Sequence, residues 1–215
     1  LETRTALPQA IGAWLARTQH RPDVWLSASA IGFYGISEKP DETFVETAAA
    51  GEGFAAALCN RIETTSAEQA GTTRLVSLRI GLVLAIEGGY LAQLLPAIDL
   101  FAGVILGRGR QWQSWIHRDD AVRAIDRCVT DSNLRGPVNI VAPEPVRAKF
   151  LMKALGKKLA RPVFLHVPEF VLRAVAGELA EELLLGSQRV SPQRLLQEGF
   201  QFRYPRLSDA LDALL

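Results

Sequence analysis

Three observations predict an α/β fold built on a doubly wound parallel sheet. Apolar runs alternate with stretches of helical period along the first 145 residues. The runs around Val24–Leu26, Leu75–Leu84 and Val138–Val141 are mainly apolar, and the second reads as a strand covered on both faces. The first run ends in Ser27-Ala28-Ser29-Ala30-Ile31-Gly32-Phe33-Tyr34-Gly35, which delivers small polar groups to the carboxyl edge of the sheet, where such sheets bind ligands.

Leu7, Ile11 and Leu15 repeat at helical spacing, so the chain opens inside an amphipathic helix over about 2–18. His20-Arg21-Pro22 ends it, and the strand 23–28 follows. A polar loop from Ser37 to Thr47 leads to a helix near 52–69, with Phe54, Leu58 and Ile62 as its buried stripe. Thr73 to Leu84 reads as one long strand closed by Gly88-Gly89. Tyr90 to Leu106 is apolar and helical in pattern, Gly107-Arg108-Gly109-Arg110 turns, and Gln111 to Ile116 forms a short strand. Asp119 or Asp120 caps the helix that runs to about Val129, since a carboxylate there accepts free N–H groups at the positive end of the dipole. Gly136-Pro137 introduces the strand Val138 to Val141. Beyond Pro145 the chain turns mainly helical, with helices near 147–159, 169–176 and 178–186 and an extended stretch over 161–168. This divides the chain into a domain over 1–145, with an insertion near 88–118, and a subdomain over 146–215.

Composition narrows the function. Lys and Arg number 24 against 23 Asp and Glu, a net charge of +1, so no global field draws the protein to nucleic acid or anionic lipid. A small-molecule partner is expected, with no membrane span, and a monomer or homodimer as the assembly. Cys59 and Cys128 sit in helical stretches as small buried hydrophobes, which fits a reducing cytoplasm. His20, His117 and His166 are scattered and neither cysteine has ligand spacing, so no metal is expected. No Gly-x-Ser-x-Gly elbow is present.

Several side chains carry two readings. Ser27 and Ser29 satisfy backbone groups at a strand end or bond a substrate oxygen. His117 beside Asp119 and Asp120 serves acid/base work or a helix start. Arg108 and Arg110, followed by Trp112 and Trp115, bind a phosphate or carboxylate beside an aromatic platform, or are solvated loop arginines next to core tryptophans.

Four segments, Ser27–Gly35, Leu78–Leu84, Trp115–Ile125 and the block Gly186–Tyr204, resemble the extended short-chain dehydrogenase/reductase superfamily, in particular its atypical NAD-dependent epimerase/dehydratase-like subgroup. The last block resembles that subgroup's C-terminal domain of unknown role. The resemblance implies a Rossmann-type domain, of which this chain carries the later part, and NADP, or NAD, as cofactor. It implies cofactor contacts from Ser27, Ala28, Arg79, Gly81, Val83 and Leu84, catalytic roles for Ser27, Ser29 and Tyr34, and substrate contacts from Arg110, Trp115 and His117.

Two departures matter. The glycine-rich turn that seats a pyrophosphate is missing, and roughly 80 residues of preceding βα units would supply it. The tyrosine–lysine pair of the superfamily is missing too: position +4 holds Glu38 after Tyr34, Leu94 after Tyr90 and Ser208 after Tyr204, and Phe54 and Leu58 stand where the pair would fall. A tyrosine without that lysine keeps a pKa near about 10. The expected function is an epimerase- or reductase-like oxidoreductase acting on a small polar, sugar-nucleotide-like substrate; the alternative is a catalytically silent NAD(P)-binding sensor or partner-binding module.

Overall fold

The computed structural model describes residues 2–36, 39, 41–100, 103–171 and 186–215. The helix expected over 178–186, most of that over 169–176 and part of the loop after Ser37 lie outside these residues. Helix α1 (Glu2–Leu15) precedes β1 (Val24–Ala30), a 3-10 turn (Ile31–Tyr34) and β2 (Thr43–Phe44). Next come α2 (Phe54–Ala70), β3 (Arg74–Ile80), β4 (Leu82–Leu84), α3 (Gly89–Asp99), β5 (Val104–Leu106), β6 (Trp112–Gln113), β7 (Trp115–His117), α4 (Arg118–Thr130) and β8 (Gly136–Ile140). The remainder holds β9 (Val146–Arg147), α5 (Ala148–Lys158), β10 (Leu165–Val167), β11 (Arg189–Val190), α6 (Gln193–Gln197) and α7 (Leu207–Leu214).

The central sheet is parallel, in the order β1-β3-β8. Because side chains alternate along a strand, its two faces differ. On one face Leu26, Val76, Leu78, Val138 and Ile140 pack on Ala121, Ala124 and Cys128 of α4, and Leu195 and Phe200 close the same core. Each such large apolar side chain contributes about 1.5–3 kcal/mol when fully buried. The other face is polar. Register sets Ser29 beside Arg79 and Arg79 beside Asn139, a row of three polar side chains across three strands, directed at α2.

That polar face explains why the stripe expected on α2 is displaced. The buried residues of α2 are Ala56, Cys59, Thr65, Ser66 and Ala70, while Phe54 is 57% exposed. Small and polar groups meet the polar row, and the large apolar ones turn aside. On α1 likewise, Leu15 is buried with Trp25 and Ala70, Ile11 packs beside them, and Leu7 lies exposed. Both cysteines are free and buried, as expected.

The strand expected over 73–84 is two strands. At Gly81 the chain leaves the central sheet: the Gly81 N–H donates to the Ile140 carbonyl and the Leu82 N–H to the Ser114 carbonyl, after which β4 pairs with β7. A Cβ at Gly81 would lie 2.5 Å from the Ser114 oxygen and 2.6 Å from Val141 Cγ1. An unbroken apolar run conceals such a jog because both segments are buried. The helix expected to reach Leu106 stops at Asp99, and β5 follows it because Val104–Leu106 pairs in parallel with β10. The short strand after Gln111 is likewise divided into β6, which pairs with β9, and β7.

A second core joins Leu84, Leu91, Ile98, Ile105 and Trp115 to Leu151, Leu155, Leu207 and Leu211. The block after Gly186 returns to the earlier strands instead: β11 pairs with β2, and Val190 packs with Phe33, Tyr34 and Cys59. Among the described residues no helix is long and apolar enough to cross a membrane.

Gly81→Ala should lower stability by about 1–3 kcal/mol, the ordinary cost of overpacking, read as a fall in the urea midpoint with an unchanged slope. A variant as stable as the parent would show that the Ser114 carbonyl moves aside freely.

Candidate functional site

The site is built around Arg79, which is 3% exposed on β3. Its Nε donates to Glu63 Oε1 at 3.0 Å and its Nη2 to Glu63 Oε2 at 2.9 Å, a two-pronged pair with α2. Nη1 donates to the Tyr34 hydroxyl at 3.0 Å and to the Glu46 carbonyl at 3.3 Å. The guanidinium carbon lies 3.4 Å from the centre of the Phe33 ring, and such a desolvated stack is worth about 2 kcal/mol.

Tyr34 donates its proton to Asn139 Oδ1 at 2.7 Å and stacks on Phe44 with ring centres 5.0 Å apart. Burial pushes its phenol up despite the pull of Arg79. At 2% exposure it is a fixed donor inside the protein and presents no face to the crevice. Asn139 donates from Nδ2 to the Ser191 carbonyl, and Glu46 Oε1 accepts from the Asn139 and Arg194 N–H groups. The segment after Gly186 is thereby fastened to the polar row.

The two serines differ. Ser27 Oγ is paired with Ser66 Oγ at 3.0 Å and is buried. Ser29 is half-buried and donates to Glu63 Oε1 at 2.7 Å, which leaves its lone pairs to accept a proton from elsewhere. Ser29, Tyr34 and Arg79 thus come together as one cluster, with Glu46, Glu63 and Asn139 added to it, while Ser27 pairs with Ser66 apart from it. The signals for the additions are faint in sequence: Asn139 is the polar residue of an apolar strand, and Cys59, Glu63 and Ser66 fall on one helical face.

The other named residues do not join that cluster. Ala28 is exposed on β1, whereas Gly81 and Val83 are half-buried and Leu84 is fully buried in the second core. Trp115 is also fully buried there, its Nε1 donating to the Glu144 carbonyl at 2.9 Å, so Trp112 is the ring that reaches the surface. His117 takes the capping role expected of Asp119 or Asp120, because α4 starts two or three residues earlier than such a cap would place it: its Nδ1 accepts the Asp119 N–H at 3.0 Å. Burial pushes the His117 pKa down, and its Nε2 has no hydrogen-bond partner among the described residues. Asp120 accepts instead from the Arg203 and Tyr204 N–H groups, and the Tyr204 ring lies 4.0 Å from the His117 ring. Arg110 is exposed. Among the described residues no group of three or more His, Cys, Asp or Glu side chains could hold a metal ion.

Because the folded pKa of Tyr34 is raised, its contribution to stability is complete below the unfolded value of about 10 and is lost as pH rises above it. Tyr34→Phe should cost about 1–3 kcal/mol at neutral pH by leaving Asn139 Oδ1 without its donor, and should flatten the alkaline loss in urea titrations. An unchanged alkaline slope would exclude Tyr34 as its source.

Residues 167–214 match a family model described as a domain of unknown function, DUF1731. The chain is 42% identical over 195 residues to the epimerase family protein SDR39U1 homolog, chloroplastic, of Arabidopsis thaliana, a match covering 91% of this chain and 55% of that protein. It is 33% identical over 217 residues to the epimerase family protein YfhF of Bacillus subtilis, covering 100% of this chain and 70% of that one. The chain therefore spans little more than half the length of the first of these relatives. Among solved structures, human epimerase family protein SDR39U1 with NADPH superposes with a TM-score of 0.89 at 26% identity, over 98% of this chain and 71% of that one. The serine-ended strand, the parallel sheet and these matches together make the chain a member of the epimerase family, on the extended short-chain dehydrogenase/reductase fold.

Proposed function

We propose that this chain supplies the later part of the cofactor domain and the substrate side of an NAD(P)-dependent epimerase- or reductase-like oxidoreductase acting on a small polar substrate of the sugar-nucleotide kind. The observation that carries this reading is β1, which brings Ser29 to the carboxyl edge of a sheet whose fold is shared, at a TM-score of 0.89, with a protein solved with NADPH. The same neighbour favours NADP over NAD. Free, buried cysteines support a reducing compartment such as the cytoplasm. Residues 1–145 are assigned to the cofactor domain and 146–215 to the substrate side.

The residues fit a dinucleotide at one end. Exposed Ala28 offers a side-chain-poor surface on β1, and Gly81 and Val83 follow the end of β3, so these three would contact the group. Arg79 and Leu84 face inward and are withdrawn as contacts. Ser27, tied to Ser66, acts through the shape of the strand. The 215 residues hold no glycine-rich turn for the pyrophosphate. When bound, the dinucleotide supplies hydride acceptance and return.

This chain's own part is to orient and to hold a proton. Ser29, with its hydrogen committed to Glu63, accepts a hydrogen bond from a substrate hydroxyl and fixes its direction. Arg79 holds Glu63 in place for that role. Phe54 and Leu58 supply no proton where the superfamily carries its pair, and Tyr34 is buried, so the general acid/base role rests on the Ser29–Glu63 contact. Arg110 offers a cation to an anionic part of the substrate. The missing pair also favours a second reading, a catalytically silent NAD(P)-binding module.

In the full-length protein, NADPH consumption should be followed with a panel of carbonyl and nucleotide-sugar substrates. Ser29→Ala should lower kcat/KM by about 100-fold, the low end of general acid/base effects, while Tyr34→Phe leaves it within about twofold once the protein is folded. Tight NADPH binding without turnover of any substrate in the panel would favour the silent module.

A further inference from the structure

Four segments distant in sequence meet around Trp112. Arg147, its cross-strand neighbour, places its guanidinium carbon 3.9 Å from the indole centre, and that of Arg189 lies at 4.8 Å. Asp41 ties them together: it accepts from Trp112 Nε1 at 3.2 Å and from Arg147 Nη2, and its carbonyl accepts from Arg189 Nη1 at 3.3 Å. Arg147 Nη1 also donates to the Arg110 carbonyl, which brings the backbone of the 107–110 turn alongside. The exposed side chains of Arg108 and Arg110 on that turn make no hydrogen bond or ion pair with any described residue.

The charge does not balance. Arg147 and Arg189 stack at Trp112 beside one carboxylate, Asp41, whose side chain is 68% exposed, and the exposed side chain of Arg110 springs from the residue whose carbonyl Arg147 holds. Two guanidinium groups on one ring repel each other, a third on the adjoining turn adds to the positive field, and one exposed carboxylate in high dielectric offsets little of that. Indole stacking holds Arg147 and Arg189 as oriented forks, and a fork is the geometry that grips a phosphate by paired N–H donors. The two stacked arginines exceed Asp41 by one positive charge, and Arg110 on the adjoining turn raises the excess to two, the charge of a phosphate dianion.

We propose that Arg147 and Arg189, stacked on Trp112, form with the exposed Arg110 of the adjoining turn a binding site for a phosphate or diphosphate group. This extends the anionic grip assigned above to Arg110, and so rests on that assignment. Its test reads binding alone, however, so failure of hydride transfer leaves it standing and its own failure leaves the crevice reading intact.

The full-length protein should be titrated calorimetrically at low salt with inorganic phosphate, pyrophosphate and ADP, with chloride as the control anion. Saturable one-to-one binding of at least one of the three is expected. Arg110→Gln, which removes no contact within the described protein, should weaken it about tenfold, and Arg189→Lys should weaken it although charge is kept, because the fork is lost. Asp41→Asn should tighten it severalfold, an effect that a purely structural cluster would not give. Pyrophosphate and ADP binding alike, and more tightly than phosphate, would identify a diphosphate; equal binding of all three would identify a single phosphate. No saturable binding, or affinities unchanged in Arg110→Gln and Asp41→Asn, would overturn the proposal.

Discussion

The pairing of Arg79 with Glu63 is the interaction on which the rest of the molecule depends. Burying a guanidinium under a sheet is costly unless every donor is used and a carboxylate answers the charge. Both demands are largely met: Glu63 takes two of the five N–H groups, Tyr34 and the Glu46 carbonyl take two more, and Phe33 covers the face. Meeting those demands fixes the position of α2 against β3, the 3-10 turn after β1 and the chain near β2. The hydrogen of Ser29 is directed by the same carboxylate.

The polar row also explains how the later part of the chain is attached. Asn139 and Glu46 bond the backbone at Ser191 and Arg194, and Ser114 Oγ accepts the Val190 N–H while donating to the Gln188 carbonyl. The block after Gly186 is thus bound to the polar face of the central sheet, whereas α5 and α7 build the second core with Trp115. Asp120 adds a third fastening at Arg203 and Tyr204. A C-terminal region held at three buried polar points has one seat, because each point would otherwise leave unsatisfied groups.

Much of this was legible in the residues. Continuous apolar runs separated by helical periods specify a parallel α/β sheet, and Ser27–Gly35 marks its ligand edge. What periodicity could not express was direction within a buried element. An apolar run from Leu75 to Leu84 gives no sign that Gly81 redirects it, since only the nearness of the Ser114 carbonyl requires the glycine. Tyr34 looked chemical beside its glycine, yet its surroundings come from residues 45 and 105 positions away, Arg79 and Asn139. The cluster around Trp112 was half visible: Arg108 and Arg110 stood out by their glycines, while Arg147, Arg189 and Asp41 join them only through pairing of β6 with β9 and of β11 with β2.

The most direct measurement is a double-mutant cycle on folding stability with Arg79→Met and Glu63→Gln, singly and together. With side chains 4% and 11% exposed, the pair leaves a lone buried ion when either partner is removed. Each single change should cost about 3–5 kcal/mol, and the double should fall short of their sum by about 1–3 kcal/mol. Single costs under about 1 kcal/mol that simply add, as exposed pairs give, would contradict the central place of Arg79 in the fold.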